Sequence, residues 1–84
     1  MISETVTIRN RAGLHLRPVT AVCETACRFR SDCILQFAGK EANIKSVLSL
    51  LAAGLRFGDT VRILCAGPDE KEAMDALLAV FRDI

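Results

Sequence analysis

The chain's only histidine, His15, lies two residues before Arg17 in the run Gly13-Leu14-His15-Leu16-Arg17-Pro18. An imidazole ordinarily titrates at about 6.5, so a neutral, nucleophilic ring nitrogen is available near pH 7 without extensive tuning. A guanidinium offers a fork of donors suited to phosphate oxygens and stays charged at any working pH. Pro18 marks the beginning of a helix, because proline is tolerated in a first turn, where its missing N–H has no intrahelical partner to lose. His15 therefore sits at a helix mouth, where unpaired backbone N–H groups and the positive end of the helix dipole favour an anion. A phosphoryl group carried on the ring would be such an anion, with Arg17 holding it from the side. Stabilisation of an exposed anion at a helix end is only about 0.3–1 kcal/mol, rising to ~2 kcal/mol when partly buried, a hold weak enough for a carrier that must let go. Taken alone, a histidine at a helix start also fits a solvated cap residue.

The elements that must position this run can be read from hydrophobic periodicity. Ile2 to Arg9 alternates, with Ile2, Val6 and Ile8 on one side, as in a half-buried strand. Asn10-Arg11-Ala12-Gly13 reads as a turn. From Leu16 to Phe29, Val19, Val22, Cys23, Ala26 and Phe29 recur at helical spacing. A strand over Cys33–Phe37 then returns through Ala38-Gly39-Lys40 toward Ile44 as a hairpin. Ser46 to about Leu51 reads as a short helix with Ser46 as its N-cap and Gly54 near its end. Asp59–Ala66 alternates as a fourth strand, and Gly67-Pro68-Asp69 opens a last helix. There Asp69 and Glu72 have capping-box spacing, and Ala73, Met74, Leu77, Val80 and Phe81 form an apolar stripe. The order βαββαβα, with an antiparallel sheet and helices on one face, buries these stripes and defines an α+β class.

With 84 residues, 51% of them hydrophobic and 25% charged, the chain has enough apolar surface for one folded domain and no second one. Eleven basic residues against ten acidic, scattered from Arg9 to Arg82, give a net charge of +1 and no reason to expect nucleic acid as a partner. No apolar run approaches the roughly 18–20 residues a membrane span needs. The start Met1-Ile2-Ser3-Glu4 lacks the pattern of a secretory signal, so cytoplasmic residence is expected. None of the four cysteines, Cys23, Cys27, Cys33 and Cys65, is spaced as C-x-x-C. Packing as small hydrophobes is the favoured reading for all of them, over metal or redox chemistry, and neither a metal nor a cofactor is expected.

The run Gly13–Pro18 resembles the active-site signature of HPr, the histidine-containing phosphocarrier of the bacterial phosphoenolpyruvate-dependent sugar phosphotransferase system. The likeness covers essentially all 84 residues. It continues at Lys45-Ser46, at Leu55 to Ile63 and at Gly67-Pro68-Asp69-Glu70. Two positions depart from the usual pattern: Leu16 stands where Ala or Thr is common, adding bulk beside the reactive ring, and Val19 where Ala is common. The resemblance implies an open-faced sandwich of four antiparallel strands and three helices. It implies that enzyme I phosphorylates His15 at its pros nitrogen, that IIA proteins or domains receive the group, and that Arg17 assists. By the same resemblance the protein is a covalent carrier rather than an enzyme, and a monomer.

Ser46 has two readings, since an N-cap accounts for a serine there without regulation. In relatives this serine is phosphorylated by a dedicated kinase, the HPr kinase/phosphorylase, and a transcriptional regulator then joins the partners; a helix N-terminus tolerates that added charge. The middle helix carries more apolar residues than one buried stripe can use. Val47, Leu48 and Leu51, together with Leu16, are therefore expected to contact enzyme I and the acceptors, against the plainer alternative of a well-buried helix. Two competing functions stay open. One is a regulatory binding module acting through Ser46. The other is a small βαββαβ enzyme such as a phosphatase, a weaker reading because no second acid, base or metal cluster accompanies His15.

Overall fold

Alternation of apolar and polar residues is clearest in two of the four strands, Asp32–Phe37 and Thr60–Ala66, of the computed structural model, which describes residues 1–84. Strand β1 spans Ile2–Thr7, β2 Asp32–Phe37, β3 Lys40–Asn43 and β4 Thr60–Ala66; helices α1 (Leu16–Cys27), α2 (Val47–Ala52) and α3 (Glu70–Asp83) complete the order βαββαβα. The sheet is antiparallel throughout, in the order β1-β4-β2-β3. The last strand thus enters the middle, pairing Ile2–Thr7 on one side (Ile2 with Cys65, Thr7 with Thr60) and Asp32–Gln36 on the other (Cys33 with Cys65). Only β2 and β3 form a tight hairpin. Its two-residue turn is Ala38-Gly39, both at positive φ (52° and 77°), the combination that matches the natural twist of paired strands.

One face of the sheet meets the helices. Val19, Val22 and Ala26 of α1 and Ala73, Met74, Leu77 and Phe81 of α3 bury their stripes against Cys33, Leu35, Val61, Ile63 and Cys65, while α2 contributes Leu50. Three of the four cysteines lie in this packing. Cys27, the last residue of α1, is exposed because the apolar stripe has rotated away by that position, which corrects the reading of all four as core residues.

The capping box expected at Asp69 and Glu72 is absent. Asp69 is the N-cap residue of α3, but its side chain makes no cap bond. Its carboxylate instead accepts from Arg30 N–H (3.0 Å), Ser31 N–H (2.9 Å) and Ser31 Oγ–H (2.5 Å), tying α3 to the segment that leads from α1 into β2. Glu70 takes the local role, accepting from Gly67 N–H at 3.1 Å and pairing with the N-terminal amine at 3.1 Å. Ser31 is wholly buried, so its hydroxyl needs this acceptor.

The loop into α1 is fixed by close approach. Asn10 builds the turn, its side chain accepting from Ala12 N–H and its carbonyl from Gly13 N–H. Gly13 (φ 73°) then lies so near the Leu55–Arg56 backbone that a Cβ would sit 2.7 Å from the Leu55 carbonyl oxygen. That same oxygen accepts from Leu14 N–H at 3.0 Å.

Two outcomes follow for stability. Hydrogen bonds from the Ser31 hydroxyl and from backbone N–H groups hold the Asp69 carboxyl down at about 2, below its ordinary 3.8. Its contribution is therefore complete above about pH 5 and lost progressively as the pH falls toward 2 and below. Equilibrium denaturation at a series of pH values should show that loss in the parent and a flatter, lower curve in Asp69→Asn. In Gly13→Ala, a left-handed backbone with a Cβ costs about 1–2 kcal/mol before the clash with Leu55 is counted, so denaturant melts should report at least about 2 kcal/mol of destabilisation.

Candidate functional site

His15 is the N-cap residue of α1, with extended backbone (φ −107°, ψ −171°) and an exposed side chain that makes no cap bond. Its carbonyl accepts from Val19 N–H at 3.0 Å and so closes the first turn. Three positions in that turn remain. Pro18 has no N–H, and the backbone N–H groups of Leu16 and Arg17 donate to no atom of the chain. Two free amides and the positive end of a twelve-residue helix thus lie directly after the imidazole. No acidic residue occupies the first turn of α1 to offset that field. Leu14 just before it and Pro18 three residues after it are both buried, so the backbone carrying His15 is held at two points while the ring stays in solvent.

Arg17 is exposed one turn position after Leu16, and its guanidinium pairs with no carboxylate. Leu16 itself is 62% exposed. Thr20 donates through its hydroxyl to the Leu16 carbonyl at 2.7 Å and stiffens the same turn.

Helix α2 packs against α1 and supplies the remaining expected residues. Ser46 caps it, its side chain accepting from Ser49 N–H at 3.2 Å, and Ser49 Oγ in turn accepts from Asn43 N–H at 2.8 Å. Leu50 is the residue α2 buries. Leu48 is 80% exposed and Leu51 is exposed beside it, whereas Val47 is half-buried and packs partly against the core. Lys45 is already engaged, donating from Nζ to the Phe29 carbonyl at 2.8 Å.

Sequence reading passed over one exposed group in this region and misplaced another. Phe57, 58% exposed, projects from the loop whose Leu55 carbonyl receives Leu14. An aromatic between Arg56 and Gly58, outside any periodic stripe, was the available signal. Cys27 is the other, and its Sγ lies 3.8 Å from the Lys45 carbonyl. The buried thiols differ sharply from it in setting. Burial, then the neighbouring Cys33, push the Cys65 thiol up to about 12, and burial also raises Cys33 and Cys23. These are poor thiolates.

No three His, Cys, Asp or Glu side chains converge as metal ligands, and no helix is long and apolar enough to cross a membrane. The chemistry on offer is that of one accessible imidazole, one guanidinium and two amides beside an apolar platform.

Comparison with known proteins agrees with that inventory. The family model described as PTS HPr component phosphorylation site matches residues 2–83. The chain is 34% identical to the HPr-like protein Crh of Bacillus subtilis over 83 residues, covering 99% of this chain and 98% of Crh. It is 34% identical to the phosphocarrier protein HPr of Mycoplasma pneumoniae over 76 residues, covering 89% of this chain and 86% of that one. Among solved structures, HPr of Thermoanaerobacter tengcongensis superposes with a TM-score of 0.95 at 32% identity, covering 99% of this chain and 93% of the other. An HPr dimer from the same organism has also been solved. The open-faced α+β architecture, the matched span and these identities together place the chain in the HPr family, whose members are phosphocarrier proteins rather than enzymes.

Proposed function

We propose that His15 accepts a phosphoryl group from enzyme I and passes it to IIA proteins or domains of the sugar phosphotransferase system. The observation that carries this reading is the placement of an exposed imidazole as the N-cap residue of α1, followed by the two undonated amides of Leu16 and Arg17. The pros nitrogen, Nδ1, is the ring nitrogen nearer the backbone and hence nearer those amides. Its lone pair attacks phosphorus as the bond from phosphorus to the donor's leaving nitrogen breaks, and the reverse displacement delivers the group to the acceptor. The amides and the Arg17 guanidinium balance charge on the equatorial oxygens during both steps. Leu16, Leu48 and Leu51, with Val47 at their edge, form the apolar ground on which the partners dock. Cytoplasmic residence accords with those partners.

Ser46 supports a regulatory layer. A kinase such as the HPr kinase/phosphorylase would place a dianion at the cap of α2, at the rim of the same apolar ground, where it would repel acidic partners or recruit a transcriptional regulator. Similarity to Crh favours this layer, and the presence of His15 supports transfer beside it. An HPr of Thermoanaerobacter tengcongensis has been solved as a dimer, whereas the monomer is the form with the whole docking face open.

Incubation with enzyme I and labelled phosphoenolpyruvate should give acid-labile, alkali-stable label that disappears in His15→Ala. Label on another residue, or none with a competent cognate enzyme I, would overturn the assignment. Arg17→Ala should slow transfer roughly 10- to 100-fold, since one preorganised charge-balancing donor is removed. Leu48→Glu should reduce the rate from enzyme I by about tenfold while circular dichroism and melting stay at parental values, because a central apolar contact is lost without any core change.

A further inference from the structure

A cleft of the fold lies apart from His15 and its platform. It encloses about 370 Å³ between β1 and the last turns of α3, bordered by Thr5, Thr7, Arg9 and Arg82 and floored in part by Leu78 and Phe81. No carboxylate lines it. The molecule's one ion pair joins the N-terminal amine to Glu70, so the Arg9 and Arg82 guanidiniums have no acidic partner. Two unpaired guanidiniums beside an apolar floor select for anionic groups attached to an apolar body.

The strand that borders the cleft is also an edge. In the order β1-β4-β2-β3, β1 pairs only with β4. Ile8 directs its N–H to Asp59 and receives Gly58 at its carbonyl, so its backbone faces β4. Backbone direction alternates along a strand, which turns the N–H and C=O groups of Thr7, Thr5 and Ser3 toward the free side. An edge of this kind takes an added strand unless something covers it. A small inorganic anion could meet the arginines but could use neither the free backbone ladder nor the apolar floor.

We propose that the β1–α3 cleft is a docking site for an extended acidic peptide segment of a partner protein, with alternating apolar and acidic residues. The segment lies along Ser3–Thr7 as a fifth strand, hydrogen-bonds the outward backbone groups, sets carboxylates against Arg9 and Arg82, and inserts an apolar side chain over Leu78 and Phe81. Nothing in this contact uses His15, Arg17 or α2. A partner held here can therefore be bound while the phosphoryl site stays open.

The test titrates isotope-labelled protein with a capped pentapeptide of alternating valine and glutamate, with valine–lysine peptide and inorganic phosphate as parallel probes. Amide shifts are expected along Ser3–Arg9 and Leu78–Arg82 with the glutamate peptide alone, and Arg9→Ala combined with Arg82→Ala should weaken binding by about tenfold or more in a protein with an unchanged spectrum elsewhere. Phosphotransfer through His15 should be unaltered in that double variant. Equal binding of the lysine peptide, equal shifts from phosphate, shifts confined to His15 and α2, or none at millimolar peptide would each overturn the proposal. So would a β1 edge already protected by a second copy of the chain, seen as a dimer in sedimentation with slowed exchange of the Thr5 and Thr7 amides.

Discussion

The approach of Gly13 to the Leu55 carbonyl is the constraint on which the site depends. A Cβ at position 13 would lie 2.7 Å from that oxygen, and the next residue donates its N–H to the same atom. The β1–α1 loop and the loop before β4 are thereby locked together, and β4 is the strand that both β1 and β2 use as their partner. Leu14 is buried on one side of His15 and Pro18 and Val19 on the other. The imidazole is exposed, yet the backbone beneath it has little freedom. Groups fixed before the reaction need no reorganisation when charge moves, which is how weak, solvent-facing interactions can still direct a displacement.

The neighbouring platform is held by a different economy of contacts. A six-residue helix has almost no stability of its own, because nucleation fixes several residues for few hydrogen bonds. Helix α2 persists because Leu50 is buried and because a short relay runs from Asn43 N–H to Ser49 Oγ and from Ser49 N–H to Ser46 Oγ. With one anchor inward, the rest of its apolar residues face solvent or lie at the margin. Leu48 and Leu51 are exposed for this reason. A phosphoryl group on Ser46 would act at the first link of that relay, so the regulatory and docking readings concern one structural unit.

Much of this was legible in the sequence, since periodicity and turn chemistry are local. The βαββαβα order, the N-cap at Ser46, the helix mouth at His15 and the outward surplus of α2 all follow from residues within a few positions of one another. What escaped was non-local or depended on phase. Asp69 and Glu72 have capping-box spacing, yet the Asp69 carboxylate goes to Arg30 and Ser31, 39 and 38 residues away, because a buried serine hydroxyl there has the stronger need. Cys27 has the same spacing from Cys23 as core residues have from one another, but at the last residue of α1 that direction leads out of the core. Phe57 belongs to no stripe, and only the packing of Gly13 on Leu55 brings its loop beside the site.

Two helices of the same chain treat their positive ends in opposite ways. At α3 the carboxylates of Glu70 and Glu72 lie in the first turn, Asp69 is the N-cap, and Glu70 satisfies Gly67 N–H. That end carries acidic charge that complements the helix dipole and serves stability. At α1 the cap residue is a histidine that makes no cap bond, the first turn holds no acid, and a proline at its third position deletes one of the amides. The stabilisation left for an anion comes from two amides, a partial helix charge and one exposed guanidinium, each worth on the order of 1 kcal/mol in water. A deeper cradle would hold phosphate more tightly and return it more slowly. In the proposed transfer, an N-terminus with two free donors and open to solvent stabilises a phosphoryl group on His15 only modestly, and a modest hold at a rigid position suits exchange between two partners.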